Sequence, residues 1–356
     1  MTVSGIASQT CIGRWWVVRV VMPGRILERH VGGNSTYTMT LARELRARGI
    51  EVSAMPYSRR ASATAVLENF AALRSYGSGT VVHFTADTGP LWSVRAPSVV
   101  TVHGVASRWI STARRPDQER VWRGRVRRAI ASTDRVVSVS QSGARDVAEI
   151  FGVERDSIVV IPHGVDTARF TTREPLSDDV RSRVPSEYLL YVGNVEPRKN
   201  LVELVAAVER DPNLPPLVVV GRPAWNYAEA MSAIDTSSRV HYLGFVEERD
   251  VVALMQRCAM FVFPSLYEGF GFPVVEALAA GAPVLTSSRG SLPEVSGPSY
   301  VIDDLSREGI GAGLTAALSD SEWLSRCRAD GPAWARGFSW DVSARKHIAV
   351  YEGLMR

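Results

Sequence analysis

The chain has 356 residues, 46% of them hydrophobic, with a net charge of +4. That length suits two domains of ordinary size, and the balance is that of a globular protein, not of a disordered or fibrous one. No apolar run approaches the roughly 20 residues of a membrane-spanning helix, and Cys11, Cys258 and Cys327 are too scattered for a disulfide framework or a zinc site.

Taken in chain order, the stretch CIGRWWVVRVVMPG is broken by Arg14 and Arg19, so it reads as a poor secretory leader and as a first strand over residues 15–22. With the unpaired cysteines this points to a reducing cytoplasm. The segment NSTYTMTLARELRARG follows as a helix, with Asn34 or Ser35 expected as N-cap, Tyr37, Leu41 and Leu45 on one face, and Gly49 as stop. Short β-branched runs at 50–55, 80–84, 98–103, 135–140 and 157–161 read as further strands. A helix after the fifth is expected to be capped by Ser140 and stopped by Gly152. Residues 166–187 lapse into a polar, proline-marked linker, and strands then resume at 188–193, 216–221, 239–244, 260–263 and 283–287. Apolar strands alternating with helices predict two Rossmann-like halves, each with a parallel sheet, facing across a cleft. Ligands of such sheets bind beyond the carboxyl ends of the strands.

The unusual loops fall at those ends. After the run MFVFPS comes YEGFGFPVVEALAAG, in which Pro273 suits the first helical position and Gly281 the stop. The free N–H groups of that helix start form an anion site, and Gly269 and Gly271 allow a ligand to approach the backbone. Glu268 and Glu276 flank the loop and can accept hydrogen bonds from hydroxyls. In YVGNVEPRKNL, Arg198 and Lys199 follow a strand and a glycine turn, before a helix expected to be capped by Asn200; fixed cations there can neutralise a diphosphate leaving group. Gly32 and Gly33 precede the first helix, and His103 with Gly104 ends a strand.

The E-x7-E pair Glu268 and Glu276, the R-K pair Arg198 and Lys199, the glycine loop HVGGN and the VTVHGV strand end occur in the order and spacing found in a known family. The chain resembles the retaining GT-B glycosyltransferases of family 4 over nearly its whole length. That resemblance implies α/β GT-B architecture, with residues 1–168 binding acceptor, 169–187 linking, and 188–339 binding a nucleotide-sugar donor. A last helix, about 340–356, would cross back to the first domain. It implies catalytic roles for Glu268 beside the donor sugar, His103 at the sugar hydroxyls, and Arg198 and Lys199 at the diphosphate. It implies donor contacts from Gly32, Gly33, Asn194, Gly269, Phe270, Gly271 and Phe272, a ribose contact from Glu276, and a base site near Arg222, Phe245 and Val246. Asn194 stands where many relatives carry an arginine, so the second phosphate contact is left open between Arg198 and another side chain.

The resemblance further implies a front-face substitution with no cofactor and no metal, consistent with the absence of a D-x-D motif. The donor is expected to be a UDP-sugar such as UDP-N-acetylglucosamine, or GDP-mannose. The acceptor is expected to be a hydroxyl on a lipid, saccharide or natural product. Two other readings compete: a GT-B sugar-nucleotide epimerase, and a non-catalytic sugar-nucleotide-binding protein. Lys199 and Lys346 are the only lysines, so the remaining 39 of the 41 basic residues are arginines. Eight of them lie in residues 108–128, between Arg108 and Arg128, interleaved with Trp109 and Trp122 and opposed by Asp117 and Glu119. This run is either a solvated arginine-rich helix pair, a peripheral contact to the inner face of a membrane, or a dock for an anionic acceptor. No nucleic-acid-binding module accompanies it.

Overall fold

The computed structural model describes residues 17–28, 32–110 and 116–356. Cys11, Arg14, the start of the first expected strand, His30, Val31, Arg114 and Arg115 lie outside the described residues. Two six-stranded sheets, all parallel, organise the chain. The first contains β1 (Arg19–Pro23), β2 (Glu51–Met55), β3 (Thr80–Phe84), β4 (Ser98–Val102), β5 (Arg135–Ser138) and β6 (Ile158–Val160), in the order β2-β1-β3-β4-β5-β6. The second contains β7 (Leu189–Val192), β8 (Leu217–Val220), β9 (Val240–Gly244), β10 (Met260–Phe263), β11 (Val284–Ser287) and β12 (Tyr300–Ile302), in the order β12-β11-β10-β7-β8-β9. Every residue of β3, β4, β10 and β11 is buried, as continuous apolar strands covered on both faces must be. Strand order reverses between β1 and β3 in the first sheet and between β7 and β10 in the second, and those points locate the ligand crevices. Among the described residues, no helix is long and apolar enough to cross a membrane.

The expected caps hold in part. Ser140 Oγ accepts the Gly143 N–H at 3.0 Å, and Gly152 ends that helix with φ 69°. The first long helix begins earlier than expected, at Gly32, and runs to Arg46. Asn34 and Ser35 are therefore inside it, and the Asn34 carbonyl already accepts the Thr38 hydroxyl at 2.8 Å. Asn200 stands at the start of the Leu201–Arg210 helix but does not cap it. With φ 59° it turns its side chain away, and Nδ2 donates to the Leu305 carbonyl at 2.9 Å. Pro273 is the second residue of its helix, Phe272–Ala279, whose N-cap is Gly271. The linker stretch carries two short helices, Thr167–Thr171 and Asp178–Arg183, that bury Phe170 and Val180 in the core of the second half.

The C-terminal helix, Trp340–Gly353, completes the core on one face of the first sheet with Trp340, Ala344, Ile348 and Tyr351. A buried hydrogen-bond chain ties it there, and its direction follows from one carbonyl. His347 Nδ1 donates to the Ser343 carbonyl (2.8 Å), so Nε2 accepts the Tyr37 hydroxyl (2.8 Å). Tyr37 then accepts from Thr101 (3.0 Å), Thr101 from His83 Nε2 (2.8 Å), and His83 Nδ1 from the Tyr351 hydroxyl (2.7 Å). Each group donates once, which requires both histidines to be neutral. Burial supplies that condition, pushing His347 down to about 4 and His83 well below its ordinary value.

The backbone crosses between halves twice, after β6 and before Trp340. The crossings touch: Val165 N–H donates to the Phe338 carbonyl at 2.9 Å, and a Cβ on Gly164 would stand 2.1 Å from Trp340 N.

Candidate active site

The loops after β7 and β10 meet those of the first sheet around a cavity of about 540 Å³. The halves pack tightly where the β4 and β10 loops cross. A Cβ on Gly269 would fall 2.1 Å from the His103 carbonyl oxygen, and one on Gly104 would fall 2.1 Å from the Tyr267 hydroxyl, so neither position admits a side chain. The Tyr267 hydroxyl accepts the Val105 N–H at 2.9 Å across this seam. Trp109 stacks on the Tyr267 ring at 6.1 Å and donates Nε1–H to Asp146 at 3.0 Å. Arg108 pairs with Asp146 and Glu149, and Arg123 with Glu119. Part of the arginine–tryptophan run is thus occupied in holding Tyr267 in place.

On the floor of the cavity lies a buried ion network. Glu268 Oε1 receives Lys199 Nζ at 2.6 Å, and Oε2 receives Arg198 Nη1 at 2.8 Å. Arg198 also donates Nε and Nη2 to Glu196 Oε1, at 2.9 and 2.6 Å, and Nη1 to the Tyr267 carbonyl at 3.1 Å. Lys199 Nζ lies 4.5 Å from the centre of the Phe263 ring, a cation–π contact. Burial alone would raise the Glu268 carboxyl, but Arg198 and Lys199 outweigh it and hold the group below the usual range. Burial and the like charge of Arg198 pull Lys199 below its ordinary value, with Glu268 opposing. With both oxygens engaged by cations, Glu268 is a weak nucleophile and a weak base; it fixes geometry and charge.

Glu276 lies one loop and one helical turn further on, partly exposed to the cavity. Although some of its surface reaches the cavity, its carboxyl is withdrawn from bulk water and pushed up to about 7, with Arg169 opposing. From the first sheet, His103 donates Nε2–H to the Thr85 carbonyl at 3.0 Å, which leaves Nδ1 as the acceptor. The Asp87 carboxylate holds the His103 backbone N–H at 2.7 Å.

Of the residues expected from sequence, Gly33, His103, Asn194, Arg198, Lys199, Glu268, Gly269, Phe270, Gly271, Phe272 and Glu276 all line this one cavity. Gly32 begins the helix behind Gly33. Arg222, Phe245 and Val246 do not line it. They stand at the ends of β8 and β9, outward of β7 in the sheet, where Arg222 lies 4.2 Å over the exposed Phe245 ring.

Sequence reading missed Asp87, Glu196 and above all His163. That ring is 2% exposed, stacks on Phe272 at 4.8 Å with a 5° interplanar angle, and leaves Nδ1 without a hydrogen-bond partner among the described residues. Burial keeps it neutral, well below its ordinary value. Its only sequence signal is the HG pair that begins three residues past the β6 strand end.

The sequence profile of "Glycosyl transferases group 1" matches residues 172–334, and that of "Glycosyltransferase Family 4" matches residues 55–169. The O-antigen chain mannosyltransferase B of Escherichia coli is 28% identical over 277 residues, covering 72% of this chain and 70% of that protein. The MMP alpha-(1->4)-mannosyltransferase of Mycolicibacterium hassiacum is 31% identical over 275 residues, covering 72% of this chain and 65% of that protein. Among solved structures, Anabaena HepE in complex with UDP and glucose superposes with a TM-score of 0.70 at 17% identity, over 94% of this chain and 98% of that one. On fold, profiles and relatives together, the chain belongs to the GT-B glycosyltransferases of family 4 type.

Proposed function

We propose that the protein transfers a hexosyl group, with retention and without a metal ion, from a nucleoside-diphosphate sugar to a saccharide hydroxyl. GDP-mannose and UDP-sugars are the donors of choice; the mannosyltransferases among its relatives favour mannose. The observation that carries the reading is Glu268 clamped by Arg198 and Lys199 beside the N-terminus of the Phe272–Ala279 helix. The helix N–H groups and the remaining Lys199 protons offer positive charge to a diphosphate, the role a divalent ion fills elsewhere. As the glycosidic bond breaks, negative charge gathers on the leaving phosphate, and these groups stabilise it more strongly than the ground state.

Because both Glu268 oxygens are engaged, the leaving phosphate oxygen is the base that takes the acceptor proton. The hydroxyl then attacks from the face the diphosphate leaves, which preserves configuration. His103 Nδ1 accepts from a sugar hydroxyl, and Glu276 from the ribose. The test is incubation with labelled GDP-mannose and UDP-N-acetylglucosamine, with and without EDTA, followed by NMR of the product anomer. Transfer or slow hydrolysis that survives EDTA and keeps the α-configuration supports the reading. Inversion, or turnover that depends on Mg²⁺ or Mn²⁺, overturns it.

A further inference from the structure

Beside the reaction cavity lies a smaller one of about 200 Å³, whose walls come from the carboxyl end of the first sheet. Arg25 reaches it from the short helix after β1, Ser58 and Arg59 from the loop after β2, and Thr88 from the loop after β3. Arg125 enters from the Pro116–Ala131 helix, and Glu68 from the Ala61–Leu73 helix. The two cavities approach each other at the loop after β3, where Asp87 lines the larger and its neighbour Thr88 the smaller, with α-carbons about 3.8 Å apart.

The charge of this cavity is not balanced. Among the described residues lining it, three guanidinium groups face a single carboxylate, Glu68, which is buried and engages Arg25 Nε at 2.8 Å. The Nη groups of Arg25, and the whole guanidinium groups of Arg59 and Arg125, have no hydrogen bond or ion pair among the described residues. Planar donors left open beside two hydroxyls, Ser58 and Thr88, form a fork for a planar or tetrahedral oxyanion. The donor nucleotide belongs to the β7–β10 crevice of the other half, so the anion must arrive with the second substrate.

We propose that this cavity is an anion subsite for the acceptor, taking a phosphate or carboxylate carried on the acceptor saccharide while its reacting hydroxyl enters the larger cavity past Asp87. The proposal rests on the transferase reading of that larger cavity. It makes the natural acceptor an acidic or phosphorylated sugar and assigns Arg59 and Arg125 to selecting it.

The test is calorimetric titration at low salt with glucose 6-phosphate, glucuronate and glucose, on the wild type and on Arg59→Gln/Arg125→Gln. Arg25 is kept, because its loss would leave Glu68 buried and uncompensated. The wild type should bind at least one charged sugar about tenfold or more tighter than glucose, and the double variant should lose that preference. A preference for glucose 6-phosphate alone assigns phosphate, and one for glucuronate assigns carboxylate. Arg59→Glu, a reversal on an exposed side chain, should abolish the preference too and guards against misfolding of the double variant. Equal affinity for all three sugars, or a preference that survives in both variants, overturns the proposal. A parallel titration of the wild type with UDP and GDP judges the transferase reading separately, since its failure leaves the sugar results intact.

Discussion

Glu276 ties nucleotide binding to pH in a way that can be calculated. Its carboxyl is pushed up to about 7, against an ordinary value of 4.5, because burial outweighs the pull of Arg169. Ribose hydroxyls donate to the ionised form, so occupancy of a protonated site must release a proton. If the carboxyl returns to its ordinary value in the complex, the apparent Kd is flat above pH 8 and weakens by nearly tenfold per pH unit below 7. Between pH 8 and 5.5 the loss is about 30-fold, or about 2 kcal/mol. The terminal phosphate of UDP or GDP itself titrates near 6, as phosphate monoesters do, so the ligand should be an intact sugar nucleotide, whose phosphates do not titrate in this range. Calorimetry across pH 5.5–8, in two buffers of different ionisation enthalpy, yields both the affinity and the number of protons released. Glu276→Gln should bind more weakly at pH 8 and show no pH dependence. An affinity constant across the range, or a dependence that persists in the glutamine variant, would refute the assignment of Glu276 to the ribose.

The same carboxyl bears on stability. A raised folded-state value means that stability is lost as pH rises from about 4.5 to 7, so Glu276→Gln should become the more stable protein by about 2–3 kcal/mol at pH 7.5, but not at pH 4.5, in urea titrations. The buried histidine at position 347 acts in the opposite sense. Its lowered value keeps its contribution whole above pH 6.5 and removes about 3 kcal/mol as pH falls to 4, so unfolding midpoints should drop over that window, and less so in His347→Gln. Tyr351→Phe leaves the His83 Nδ1 acceptor unmet and should cost about 1–3 kcal/mol, read as a lower Tm with donor binding unchanged. Lys199→Ala should lower kcat by on the order of 10²-fold with a smaller change in donor KM, and Lys199→Arg should restore it only in part. A rise in KM alone would make Lys199 a binding group.

Patterns repeated along the chain were legible in the sequence. Ten of the twelve strands show as β-branched runs wholly within the described residues, and β1 shows in the part described. The strand β12, Tyr300–Ile302, escaped because three residues after a polar turn give no periodicity. Glu268, the R-K pair and His103 were legible because each follows a strand end with its own local signal, and Glu276 because it lies in the helix that starts after the glycine loop. What could not be read was how they engage one another: Glu268 meets Arg198 and Lys199 across 70 and 69 residues of sequence. His163 was invisible for the same reason, since its surroundings (Tyr37, Phe270 with Phe272, and Trp340) come from three separate segments. Arg222 and Phe245, expected near the base, stand outside the cavity lining because strand order, not sequence order, sets distance from it.

The two touching crossings also decide how the halves can move. Two chains lying side by side, bonded from Val165 to Phe338 and packed too tightly at Gly164 for a side chain, act as one hinge. They permit rotation about their common line and resist sliding of one half over the other. Away from that line the halves are latched by contacts that rotation must break. One is the Tyr267 hydroxyl on Val105 N–H; another is the Glu294 carboxylate, which receives the Gln141 and Ser142 N–H groups at 2.8 and 2.7 Å. Opening about that pivot must release those bonds. Substrate entry and product exit would share that single degree of freedom.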